Sequence, residues 1–329
     1  MKTQHRMKIS VLLIAVVTLS QSLWASDLSD YDQYPSIVLS NSTVRMQVFL
    51  PDPENGLYRA TRFDWSGMIG SVRYKDHEYF GFWRKPQDPM SPVGVVGPAD
   101  TYKTPGLGYG DAKPGEGFIR IGVGIVRKED EPEYDYHNDY AILDHGEWSM
   151  ENGDDWIKFT HVVNSDFGFG YVYTKTVRLD GDGFSMHHDL HNTGTKRIET
   201  DQYNHNFIML DFEKANPSFE VTYPYPVSTE SDTIGLMEVR KHSLHFTKVI
   251  EKDTAFMALK GFAKSAEDNT VTVENTSSGV GITVNVDKPL DRLEFWTNGL
   301  VLCPENTIQL RVEPGETETW TSDFRLFAR

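Results

Sequence analysis

The chain has 329 residues and a formal net charge of −16, from 48 acidic against 32 basic side chains. That surplus excludes a general attraction to nucleic acid or to polyanionic surfaces, while leaving room for a locally basic cleft. A single cysteine, Cys303, excludes an internal disulfide, so stability must come from a packed core.

At the amino terminus, Lys2, His5, Arg6 and Lys8 lead into an apolar run from Ile9 to Leu19, followed by small and polar residues as far as Ala25 and Ser26. This pattern predicts a secretory signal over residues 1–26, with Met7 as a second possible start and Ser26 or Asp27 near the mature end. An exported protein, periplasmic or secreted, is expected. No second apolar run approaches membrane length, so no membrane insertion is expected once the signal is removed.

Short alternating runs then recur along the chain: Thr43 to Leu50, Met68 to Tyr74, Phe118 to Val126, Asp155 to Val163, Tyr171 to Leu179, Phe184 to Leu190, Glu199 to Leu210, Gly281 to Val286, Arg292 to Trp296, Ile308 to Val312 and Glu318 to Phe327. Their Val, Ile, Thr, Tyr and Phe content and their Gly, Asn, Asp and Pro punctuation predict strands. Asp180-Gly-Asp-Gly183, Asn192-Thr-Gly194 and Pro314-Gly315 read as tight turns. Only Asp253 to Ala266 offers a short helical period. Lys85 to Gly117 holds six prolines and seven glycines, and predicts a long connection at the mouth of a cleft. The fold class is therefore all-β: one continuous domain over residues 27–329, built from stacked antiparallel sheets.

Two places carry candidate chemistry. In Asp201-Gln-Tyr-Asn-His-Asn-Phe-Ile-Met-Leu210 the two-residue period puts Tyr203, His205 and Phe207 on one face and Asn204 and Asn206 on the other. An imidazole held among rings can exchange protons near neutral pH; the plain alternative is a core histidine bonded to backbone. Glu305 follows Pro304, which suggests a strand terminus from which a carboxylate reaches a cleft as a general base, against the alternative of a solvated acid at a turn.

These segments resemble the aldose 1-epimerases. Asn204-His-Asn-Phe-Ile-Met-Leu210 is similar to that family's Asn-His-x-Tyr-Phe-Asn-Leu pattern, and Leu302-Cys-Pro-Glu305 to its carboxy-terminal motif ending in a glutamate. Val312-Glu-Pro-Gly-Glu316 resembles the hairpin that follows, and Tyr58 to Ile69 the first core strand pair. The resemblance implies the galactose-mutarotase fold, a large antiparallel β-sandwich with a sugar cleft, His205 as acid, Glu305 as base and no cofactor. Arg62 and Arg120 are the candidate sugar-contacting cations, and Tyr203, Asn204, Trp296 and Asn298 the remaining substrate contacts. The family's second histidine, in a His-Gly-rich segment, has no match.

The expected partner is a monosaccharide or glycan. There are two rival readings: a lyase on the same scaffold that cleaves a uronate polymer by β-elimination, and a glycan-binding module without turnover. His187, Asp189 and His191 alternate onto one strand face with the spacing of metal ligands, but an exposed polar face is the preferred reading and no metal is expected. Tyr134, Tyr136, His137 and Tyr140 are candidates for a loop lining the cleft.

Overall fold

The computed structural model describes residues 32–329. The expected signal segment, residues 1–26, lies outside the described residues. Tyr34–Arg329 forms one compact unit. Among the described residues there is no α-helix, and Asp253 to Ala266 contains instead the strand Ala255–Lys260, whose residues alternate between buried and exposed. A short helical period gave way there because Ala255, Met257 and Leu259 pack into the core while Phe256, Ala258 and Lys260 face outward.

Two antiparallel sheets dominate. The larger has ten strands in the order Met237–Arg240, Ser243–Phe246, Phe219–Thr222, Thr270–Asn275, Val280–Val286, Thr317–Ala328, Gly183–Asn192, Gly170–Leu179, Trp156–Asn164 and Glu147–Asn152. The smaller has six: Ser228–Thr229, Ala255–Lys260, Arg292–Thr297, Leu302–Val312, Ile198–Asn206 and Pro98–Tyr102. Alternation decides which side chains fill the space between the sheets. Tyr171, Tyr173, Leu190 and Trp320 of the larger sheet pack with Ile198, Ile308, Leu310 and Val312 of the smaller one. The Lys85 to Gly117 segment is not wholly irregular, since Pro98–Tyr102 is the edge strand of the six-stranded sheet.

The inter-sheet core also encloses a charged cluster. Lys175, completely buried, places its Nζ 2.6 Å from Asp64 and 2.5 Å from Asp100, and donates to the Ser66 carbonyl at 2.8 Å. Asp100 further accepts from Gln202 at 2.5 Å and Asn204 at 2.8 Å, with His188 Nε2 at 3.3 Å. Burial opposes charge on Asp100, yet Lys175 and then His188 outweigh it and hold the carboxyl well below its usual range. Gln202 and Asn204 are alternate residues of the Ile198–Asn206 strand. Anchoring both on one buried carboxylate turns Tyr203 and His205 to the opposite face.

Candidate functional site

The outer face of the six-stranded sheet carries a cavity of about 500 Å³. Strand register builds it. Ile198–Gln202 pairs with Ile308–Val312, and a bridge between Ile208 and Leu302 continues the same alignment, which sets His205 opposite Glu305. Between these two points the ladder lapses. Pro304 has no N–H to give to a ladder, and the Asn206 side chain spans the gap by donating to the Pro304 carbonyl at 2.8 Å. Glu305 is thus not at a strand terminus but fourth in the eleven-residue strand Leu302–Val312.

Within the gap, His205 Nε2 lies 3.3 Å from Glu305 Oε1, and each residue is only 6 % exposed. The imidazole stacks on Phe207, with centroids 4.1 Å apart and planes 2° from parallel, while Phe63 and Trp296 present edges at 5.9 and 5.8 Å. Trp83 stacks on the far side of Phe207 at 5.2 Å. This apolar packing sets the electrostatics. Burial, and then the Arg62 charge, push the His205 pKa well below its usual value. Burial, and then Glu294, push Glu305 up to about 8, although Arg62 and Arg292 pull it back. Both shifts favour a contact between a carboxylic acid and a neutral imidazole at neutral pH. It holds one proton to share rather than an ion pair.

Of the expected contacts, Arg62, Tyr203, Trp296 and Asn298 line this cavity with His205 and Glu305. The Asn298 Oδ1 is already engaged by the Leu300 and Val301 amides, at 3.0 and 3.1 Å, which leaves only its amide nitrogen for a ligand. Two expected contacts lie elsewhere. Arg120 is 2 % exposed and donates to the carbonyls of Thr61, Arg62, Lys103 and Pro105 at 2.7 to 3.2 Å. It fastens loop backbone that would otherwise leave buried acceptors unpaired. Asn204 points to the inter-sheet core, where it bonds Asp100 and accepts from Ser322 at 2.8 Å. Alternation sends Asn204 to that side once His205 faces out.

Several lining residues carried no sequence signal of their own. Glu294 sits directly across the ladder from Glu305, and Phe256 across from Trp296. Trp83 and Arg84 come from just before the Pro/Gly-rich segment and Val93 from within it. Tyr136 and His137 join the cavity, whereas Tyr134 and Tyr140 stack on each other at 4.9 Å beside Phe118. His187 and His191 each bond a threonine of the neighbouring strand, and among the described residues no cluster of three or more His, Cys, Asp or Glu side chains could hold a metal.

No protein-family model matches the sequence, and no curated protein matches it. Solved structures do match in three dimensions. The GalM/aldose epimerase homologue from C. elegans superposes with a TM-score of 0.56 at 11 % identity, over 90 % of this chain and 99 % of that one. A galactose mutarotase-like protein from Lactobacillus casei ATCC 334 gives 0.53 at 12 % identity, over 89 % and 100 %. The Slr1438 protein from Synechocystis sp. PCC 6803 gives 0.57 at 14 % identity, over 91 % and 97 %. With its antiparallel sheets and its outer-face cavity, the chain has the galactose mutarotase-like fold, in divergent form.

Proposed function

We propose that the protein is an exported, carbohydrate-active isomerase of the aldose 1-epimerase type, interconverting sugar anomers with His205 and Glu305 as its proton-transfer pair. The observation that carries this reading is their 3.3 Å contact inside an aromatic-walled cavity of sugar size. The names borne by the structural neighbours, aldose epimerase homologue and galactose mutarotase-like protein, support it.

The chemistry follows from the shared proton. Moving it from Glu305 to His205 Nε2 yields a carboxylate and an imidazolium, a base and an acid at once. The carboxylate takes the anomeric hydroxyl proton while the imidazolium protonates the ring oxygen. The C1–O5 bond breaks as the C1 carbonyl forms. Rotation about C1–C2 and reclosure with the proton transfers reversed give the other anomer. Holding both groups side by side, within reach of the anomeric hydroxyl and the ring oxygen that share C1, supplies the orientation that proton transfer in water lacks. Trp296, half-buried in the cavity wall, offers apolar surface to the sugar face, while Phe207, buried between His205 and Trp83, backs the imidazole.

Polarimetry of freshly dissolved aldoses tests the reading. His205→Asn and Glu305→Gln should each lower the catalysed rate by about 10²- to 10⁴-fold while far-ultraviolet circular dichroism stays native. Retained rates would remove the two assignments. An ultraviolet-absorbing product from a uronate polymer would favour elimination instead, and saturable binding without turnover a binding module. Cell fractionation tests the export.

A further inference from the structure

Arg62 is the cavity residue that proton transfer itself does not require. It is half-buried, with its guanidinium carbon 4.7 Å from the Phe63 ring centroid and 4.1 Å from that of Tyr136. Its backbone carbonyl accepts from Arg120 at 2.7 Å and from Thr101 at 3.4 Å, so the base of the side chain is fixed. Other arginines of this acidic chain find carboxylates, as Arg197 does with Glu313 at 2.6 Å and Arg325 with Asp180 at 2.7 Å. Among the described residues Arg62 has none. The two carboxyl groups in its cavity are engaged elsewhere, Glu305 with His205 and Glu294 with Arg292 at 3.1 Å. Arg84, exposed at the cavity mouth and 5.4 Å from the Trp83 ring, also has no carboxylate partner among the described residues. A partly desolvated guanidinium without a counter-ion is costly, and an anion entering the cavity offsets that cost.

We propose that the sugar bound here carries a carboxylate, as a uronic acid or the uronate end of a glycan does, and that Arg62 receives it, with Arg84 drawing it in at the mouth. The proposal rests on the reading of this cavity as a sugar site. A guanidinium presents a planar fork that matches the two coplanar oxygens of a carboxylate. A monoanion suits the site better than a phosphate dianion, because Glu294 already contributes negative charge to the same wall.

Calorimetric titration of the mature protein with galacturonate, glucuronate, galactose, glucose and glucose 6-phosphate tests it. The expected result is about tenfold or tighter binding of a uronate than of its neutral parent. Arg62→Gln should bring that ratio close to one. If Arg62→Gln does not fold, Arg62→Lys carries the comparison, since it keeps the charge and loses the fork: the ratio should fall several-fold. Equal affinities, no uronate binding, tighter binding of the sugar phosphate, or a ratio undiminished in the variant would each overturn the proposal. Polarimetry on the same sugars separates this from the isomerase reading. Uronate preference without faster mutarotation leaves the charge assignment standing and removes the isomerase, and equal acceleration of neutral and acidic sugars does the reverse.

Discussion

Glu294 and Glu305 face each other directly across an antiparallel pair, on the side that opens to the cavity. Two carboxyl groups so placed resist ionising together. After burial, Glu294 is the largest influence that raises Glu305, to about 8. The catalysed rate constant kcat/KM should therefore hold while the His205–Glu305 pair keeps its single proton and fall as pH rises through about 8. Glu294→Gln removes the opposing charge and should move that alkaline limb to lower pH, by on the order of one unit. A profile of catalysed minus spontaneous mutarotation, taken over the same buffers, reads the shift. An unmoved limb would mean that Glu305 does not govern it.

The same raised pKa bears on stability. In the unfolded chain the Glu305 carboxyl ionises near its ordinary 4.5, whereas in the fold it keeps its proton to about 8. Its favourable contribution is thus complete below about pH 4.5, declines as pH rises and is gone above about 8. Glu305→Gln, neutral at every pH, should be more stable than the parent at pH 9, by up to about 5 kcal/mol, and differ little at pH 5. Thermal melts at the two pH values check this. A variant less stable at pH 9 would show that the carboxylate is better solvated than its burial implies.

Removal of Lys175 should be far more damaging than removal of a surface lysine. Its ammonium group is the shared partner of Asp64 and Asp100, and all three are buried. Lys175→Met leaves two carboxyl groups in the core without their cation, at a cost of about 3–5 kcal/mol. Burial, against the pull of Lys175 and with the added charge of Asp100, leaves the Asp64 pKa raised, so Asp64 is the member readier to take a proton. Adding Asp64→Asn to Lys175→Met should therefore recover part of the loss, read as a shift in the urea midpoint at constant slope. Additive losses would show that the two residues act independently.

A fourth expectation concerns the residue whose role the fold reassigned. Arg120→Met should destabilise the protein, by about 1–3 kcal/mol, because it strips donors from the carbonyls of Thr61, Arg62, Lys103 and Pro105. Its effect on sugar affinity should follow the stability loss, in contrast to Arg62→Gln. Parallel melts and sugar titrations distinguish the two arginines.

What the sequence by itself determined is the local pattern. Alternation and turn residues marked most of the strands, and the two-residue period placed Tyr203, His205 and Phe207 on one face and Asn204 on the other, because side-chain direction in a strand depends only on position parity. Tertiary structure decided which strands became neighbours. Nothing in the hundred or so residues between His205 and Glu305 states that their strands are adjacent, that Glu294 stands across from Glu305, or that Trp83 and Tyr136 close the cavity from distant loops. The two arginines show the reason most plainly. Arg62 and Arg120 look alike in sequence, yet packing buries one guanidinium among carbonyl oxygens and leaves the other against two rings in an open cavity. A side chain's role depends on the partners that folding brings to it, and those partners come from elsewhere in the chain.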